Sequence, residues 1–271
     1  MIGISLPSAI LNGSGSFESA HRALLSAYNN DPAQMLGSLR ARGVGSGSVE
    51  FEVRDRDADP AAVARAARCC ADAGLQITIH GELRGDESPE RFFRPYEALR
   101  GQSRYTITLH GLSDLDTTIT TLKTLAAYAD EHMPWLYFAL ENNRRRPGGG
   151  ACQSCAQVGQ ALKAIDHPRV NACWDFGHFY SNARNSFESL SPPEDFLARV
   201  VHTHIHGLTD GKTHFPPDGK NLPLERYCAL LAARGYRGIY NLELDFRRFY
   251  PQIEPRTALE ESISLLKEVC V

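Results

Sequence analysis

The stretch Val200-Val201-His202-Thr203-His204-Ile205-His206 sets Val201, Thr203 and Ile205 against His202, His204 and His206 in strict alternation. Successive side chains of a strand point to opposite faces, so one face here is mostly apolar and the other carries three imidazoles. That division suits a strand covered by helices outside and lining a closed barrel inside. The same pattern recurs on both sides of it. Residues 76–80 oppose Ile77 and Ile79 to Gln76, Thr78 and His80, and residues 105–110 oppose Tyr105, Ile107 and Leu109 to Thr106, Thr108 and His110. Residues 170–175 set Val170, Ala172 and Trp174 against Asn171, Cys173 and Asp175, and residues 239–245 set Tyr240, Leu242 and Leu244 against Asn241, Glu243 and Asp245. Runs at 2–6, 49–53 and 136–142 bring the number of strand candidates to eight.

Helix signals fill the gaps. Asp31-Pro32 opens a segment closed by Gly43, Asp59-Pro60 one closed by Gly74, Ser88-Pro89 one ending near Gly101, and Leu222-Pro223 one ending near Gly235. Leu259, Ile263, Leu266 and Val269 follow at helical spacing in the last segment. Strands alternating with helices over 271 residues predict a single (β/α)8 TIM barrel, one domain spanning 1–271.

Composition narrows the function classes. Hydrophobic residues make up 42% and charged residues 23%, which fits a globular chain with a sizeable core. No apolar run is long enough to span a membrane, and the opening MIGISLPSAI lacks a basic lead, so the expectation is a cytoplasmic protein with no membrane partner. With 29 basic and 32 acidic residues the chain has no global footprint for nucleic acid, and a small-molecule substrate is expected. A homo-oligomer is compatible with this composition. Seven cysteines with no export signal predict reduced thiols, and Cys152-Gln-Ser-Cys155 lacks a second ligand pair, so it reads as a solvated loop.

The chemistry lies at the ends of the inward faces. His80, His110, Glu141, Asp175, His204 and Glu243 follow one another at 29 to 39 residues, the rhythm of one βα unit. Strand C-termini gather at one end of such a barrel, so these six converge on one pocket. Three carboxylates and three imidazoles there repel their like charges unless a divalent cation resolves the conflict. His178, in Asp175-Phe-Gly-His178, and His214, in the Pro/Gly-rich loop after the seventh strand, add further donors. Mixed imidazole and carboxylate ligation suits Zn, Mn, Fe or Co.

Other residues have plainer readings. His202 sits deeper and reads as a core histidine; His21, His132 and His167 read as surface residues. Glu50, Glu52 and Arg54 share an inward face and read as a buried ion pair. Arg144-Arg145-Arg146, before Pro147-Gly148-Gly149-Gly150, reads either as a solvated charge run or as a mobile lid offering cations to a phosphate. Trp174 is expected beneath the helices, and Phe176, Phe179 and Phe246 on a pocket floor.

The strings Leu140-Glu141-Asn142, Trp174-Asp175-Phe176-Gly177-His178, His202-Thr203-His204-Ile205-His206 and Leu242-Glu243-Leu244-Asp245 resemble the xylose-isomerase-like barrel superfamily. It holds sugar isomerases and epimerases together with apurinic endonucleases of the endonuclease IV type. The resemblance implies that Glu141, Asp175, His204 and Glu243 form a shared metal set, with His178 nearby as a substrate or second-metal contact. Similarity to ketose epimerases implies an acid/base pair, Glu141 and Glu243, acting on a sugar-like hydroxy-carbonyl compound through a metal-stabilised enediolate. His178 and His206 would then orient hydroxyls. The alternatives are phosphodiester hydrolysis at abasic DNA, to which His80, His110 and His214 would contribute, and dehydration of an inosose. Endonuclease IV-like proteins carry Asp-x-His after the seventh strand. Lys212-Thr213-His214 stands here instead, which implies one weak or empty metal position.

Overall fold

A computed structural model of the chain describes residues 1–12, 18–53, 60–85, 87–100 and 104–270, and of residues 9, 12 and 45–53 the backbone only. Its strands are β1 (Ile2–Pro7), β2 (Val44–Val53), β3 (Gln76–Gly81), β4 (Tyr105–Leu109), β5 (Leu136–Glu141), β6 (Val170–Asp175), β7 (Val200–Ile205), a short pair β8 (Gly207–Thr209) and β9 (Lys212–Phe215), and β10 (Ile239–Leu242). All but β8 and β9 run parallel and close into a barrel in the order β1-β10-β7-β6-β5-β4-β3-β2. The expected eight-stranded β/α barrel is therefore the observed one.

Strand alternation builds both layers. Ile77, Ile79, Ile107, Leu109, Trp174, Ile205 and Leu242 are buried in the apolar layer between strands and helices. The opposite faces bury Thr78, Thr108, Cys173, His202 and Asn241, and the Asn241 amide donates to Ser5 Oγ at 2.8 Å between neighbouring strands. Trp174 anchors an aromatic cluster, with ring centroids 4.5 Å from Phe176, 5.6 Å from Phe179 and 5.1 Å from Tyr227. Pairs of this kind contribute about 0.5–1.5 kcal/mol each beyond their burial. Phe176 and Phe179 thus stiffen the outer layer and do not floor a pocket. Phe246 packs on Phe249 at 5.8 Å.

The helix punctuation acts as expected. Asp31 accepts from the Ala33 N–H at 2.9 Å to cap the helix Pro32–Ala41, and Gly43, Gly74 and Gly235 leave their helices at positive φ. The Ser88-Pro89 segment departs from expectation. It is a helix over Pro89–Phe93 followed by a 3-10 turn over Arg94–Leu99, because Pro95 lacks the N–H that an α-helix would need there.

Three further expectations change. The loop after β7 is folded: Thr209 pairs with Lys212, and Asp210 and Gly211 between them have φ of 49° and 70°. Two left-handed residues make the tight turn that Asp-Gly favours. Cys228 and Cys270 form a disulfide, since the helices Leu224–Ala232 and Pro255–Cys270 bring their Cα atoms within 5.4 Å; a separation of 42 residues left no spacing motif. Cys152 and Cys155 are buried, not solvated, and burial pushes the Cys152 thiol up to about 12. The side chains of Glu50 and Glu52, and all of Arg54, lie outside the described residues.

Candidate active site

Strand register delivers the nominated residues to one end of the barrel. Glu141 and Asp175 are the last residues of β5 and β6, and His204, next to last in β7, pairs with Asp175 on one side and Asn241 on the other. The β10–β7 ladder ends at Leu242↔Ile205, so Glu243 and His206 lie one step beyond it. Past the ladder between β5 and β6, the Asn142 side chain takes over: Nδ2 donates to the Asp175 carbonyl at 3.0 Å and Oδ1 accepts the Asp175 N–H at 2.8 Å. Asp175 then turns the chain into the helix Phe176–Arg184, its Oδ1 accepting the His178 N–H at 2.6 Å. The Asp-x-x-His spacing is that of a helix cap, and it carries His178 back over the barrel mouth.

Glu141 is the hub. Its Oε2 lies 3.1 Å from His204 Nδ1, 3.2 Å from His110 Nε2 and 3.5 Å from His80 Nε2, while Oε1 lies 3.4 Å from His178 Nδ1. Glu243 Oε2 lies 3.5 Å from His204 Nδ1 and 3.4 Å from His214 Nε2. Despite this crowding, both Glu141 oxygens, Glu243 Oε2 and both His178 nitrogens are buried without a hydrogen-bond partner. A buried polar atom left so costs about 1–3 kcal/mol, more when charged, unless something pairs with it. Donor atoms of Glu141, Asp175, His204 and Glu243 all lie within 4.8 Å of one another. Three buried carboxylates beside an imidazole, two of them with oxygens that no hydrogen bond satisfies, fit a divalent metal ion.

Burial would raise the Glu141 carboxyl, but the charges of His204 and then His110 outweigh it and hold the group well below the usual carboxylate range. Glu243 is likewise depressed against its burial, by His204 and His214. His178 responds oppositely: burial lowers it, and Asp175 and Glu141 more than compensate. His214 is lowered to about 4, by burial and then by His206. Its backbone sits at φ 64°, an uncommon conformation for a residue other than glycine.

His206 stands apart from the other nominated residues. Its Nδ1 accepts the His214 N–H at 3.0 Å, so that nitrogen carries no proton and Nε2 donates to Asp175 at 3.1 Å. A 3.4 Å approach of Nδ1 to the Gly207 carbonyl would need the opposite tautomer; the shorter bond decides. His178, His206 and His214 do form a close triplet, but both His206 nitrogens are committed, and its ring is wholly buried behind Asp175. Gly177 makes this arrangement feasible, because a Cβ there would lie 2.0 Å from His206 Cε1. Gly177→Ala is expected to cost about 1–3 kcal/mol through overpacking and to weaken metal binding by about 10–100-fold, as loss of a ligand's supporting partner does. Denaturant midpoints and metal titration check this; unchanged metal affinity would detach His206 from the site.

Above the cluster opens a cavity of about 690 Å³, lined among others by His80, His110, His178, His214 and Glu243. It also contains residues that sequence reasoning missed. His21, read as a surface residue, lines it, as do Arg247 and Arg248, and Arg146 joins them from the run that the sequence left between a solvated charge run and a lid. The Arg-rich loop is not free chain: Asn143 N–H bonds the Cys152 carbonyl at 2.7 Å, Arg146 N–H the Gln153 side chain at 2.7 Å, and Arg145 N–H the Asn182 side chain at 2.8 Å. His202 is buried deeper in the barrel, its ring 5.3 Å from that of His204. His167 pairs with Asp130 at 3.1 Å.

Comparison with known proteins agrees with this geometry. The profile of the family described as "xylose isomerase-like TIM barrel" matches residues 43–269. An uncharacterized protein of Methanocaldococcus jannaschii is 36% identical over 80 residues, which is 28% of this chain and 29% of that protein. The match therefore spans under a third of that relative. Among solved structures, a D-psicose 3-epimerase from Clostridium cellulolyticum, crystallised with D-tagatose, superposes with TM-score 0.66 at 11% identity, covering 98% of this chain and 99% of that one. A 3-keto-D-glucoside 4-epimerase from E. coli gives 0.63 at 15% identity, covering 99% and 100%. A probable 3-DHS dehydratase from Bacillus anthracis gives 0.57 at 13% identity, covering 98% and 99%. At these identities the likeness is one of fold.

Proposed function

The chain belongs to the xylose isomerase-like TIM barrel family, and from that premise we propose that it is a divalent-metal-dependent isomerase or epimerase of a sugar or sugar-like hydroxy-carbonyl compound. The observation that carries this reading is the pair Glu141 and Glu243, both buried with oxygens that no hydrogen bond satisfies, Glu243 lining the open cavity and Glu141 held against His80, His110 and His178, which line it too. Glu141, Asp175, His204 and Glu243 would hold the ion. When bound, it would polarise the substrate carbonyl and acidify the adjoining C–H.

The proton transfer belongs to the protein. Both glutamates are held as carboxylates by their imidazole neighbours, so either can accept a proton from the carbon between carbonyl and hydroxyl. The other glutamate, having first taken a proton from solvent through the open cavity, delivers it to the opposite side of the resulting enediolate and inverts that carbon, and the first glutamate then releases its own proton to solvent. His80, His110, His178 and His214, on the cavity wall, would hold the hydroxyls and restrict the planar intermediate to one orientation. A burial-lowered His214 stays neutral at pH 7 and offers one donor or one acceptor. The chain is proposed to act as a single domain.

One observation favours a second reading. His80, Glu141 and His204 form a further potential ion site sharing Glu141 and His204 with the first, and clustered ions suit phosphodiester hydrolysis. The committed nitrogens of His206 and Lys212 in the hairpin weigh against a third ion. A direct test incubates metal-loaded protein with a panel of ketoses and inososes in deuterated water, and separately with an abasic-site duplex at physiological salt. Deuterium entering at the carbon beside the carbonyl, with the duplex intact, is the expected result. Metal-dependent incision without exchange in any ketose would replace this reading with the hydrolytic one.

A further inference from the structure

Three guanidiniums gather at the cavity mouth without enough carboxylates to match them. Glu82, on the cavity wall, pairs with Arg84. Asp245 is shared: Arg247 Nε contacts it at 2.7 Å and Arg248 Nε at 3.0 Å. Arg247 has a second acid in Glu18 at 3.3 Å, and Arg248 is steadied by the Thr213 carbonyl at 2.9 Å. That leaves Arg146, which lines the cavity, with no ion pair among the described residues. Arg144 behind it is equally unpaired, and its pKa is lowered by burial and by the charges of Arg146 and Arg248. Like charges held together in this way are destabilising unless an anion joins them.

The placement is specific. Arg146 lies in the loop that follows Glu141, and Arg248 in the turn that follows Glu243, so each glutamate's own strand brings a cation to the rim. The Arg146 backbone is held by its N–H bond to the Gln153 side chain, and the Arg248 guanidinium by Thr213 and Asp245. Arg145, between Arg144 and Arg146 in the sequence, serves another purpose, its guanidinium 4.6 Å from the ring of Phe187.

We propose that the substrate carries an anionic group, a phosphate or a carboxylate, which Arg146 and Arg248 grip at the cavity mouth while its hydroxy-carbonyl end reaches the glutamates. This rests on the isomerase or epimerase reading and narrows its substrate class to acidic sugars. The loop that the sequence left between a solvated charge run and a lid is an anion clamp.

Calorimetric titration of the metal-loaded protein with inorganic phosphate, and separately with acetate, tests the clamp without turnover. Wild type, Arg146→Ala, Arg248→Ala and Arg145→Ala are compared. Phosphate or acetate affinity is expected to fall about tenfold or more in the first two variants, the loss typical of one charge-assisted bond to an anion, and to hold in Arg145→Ala. Preference for phosphate over acetate would identify a phosphorylated sugar, and the reverse a sugar acid. Equal affinity in all four proteins, as when the anion binds only the metal, overturns the proposal, as does no binding in any. Deuterium exchange into neutral ketoses without an Arg146-dependent anion site would remove this inference and leave the isomerase reading standing. An Arg146-dependent site without exchange in any ketose would do the opposite.

Discussion

Glu243→Gln is expected to leave the protein folded and to reduce turnover by about two to four orders of magnitude, the usual consequence of losing a general acid or base. The amide has the carboxylate's shape, and the bond of Glu243 to β7 is made by its backbone N–H to the Ile205 carbonyl at 3.0 Å, which the substitution leaves in place. What disappears is the anion that His204 and His214 hold in its ionised form. Because Glu243 is also a proposed ligand, the metal content of the variant is measured beside its rate of deuterium exchange. A metal-loaded, inactive variant assigns the proton transfer to Glu243. A metal-loaded variant with wild-type exchange reassigns it, and Glu141 is then the residue to test.

How far the sequence alone reaches can be seen residue by residue. The barrel was legible because each inward face is polar and each outward face apolar, a pattern that survives any uncertainty about where a strand stops. That His80, Glu141, Asp175, His204 and Glu243 converge on one end of the barrel was legible for the same reason, since they are ionisable groups near the ends of those faces. The partners of His206 were not legible, because alternation gives its face and not what its nitrogens bind. Only the β8–β9 hairpin, whose His214 N–H reaches Nδ1, turns the ring into a support for Asp175. Arg248 escaped notice because its relation to Arg146 is one of space, across loops about a hundred residues apart. Cys228 and Cys270 escaped similarly, their meeting being a property of two packed helices. Groups placed by a strand's own period could be read, whereas groups placed by loops meeting loops could not.

Asp175 is where these two kinds of placement meet, and its replacement should have the largest effect on the metal. Asp175→Ala removes three things at once: a proposed ligand, the acceptor that caps the helix Phe176–Arg184, and the partner of the His206 Nε2–H. Cap loss costs about 0.5–2 kcal/mol, and a stranded buried donor about 1–3 kcal/mol, so a sizeable part of a typical folding free energy of about 5–15 kcal/mol is at risk. Metal loss in that variant alone would be ambiguous. Asp175→Asn resolves it, because the amide oxygen can still cap the helix and accept from His206 while the negative charge is gone. The expected result is a folded Asn variant, with a denaturant midpoint close to wild type, that retains little metal after gel filtration by elemental analysis. A three-carboxylate site reduced to two loses Coulombic attraction for a dication in a buried setting, where such attraction is strongest. Should Asp175→Asn keep a full metal complement, Asp175 would serve as a cap and a histidine partner only, and the ion would rest on Glu141, His204 and Glu243.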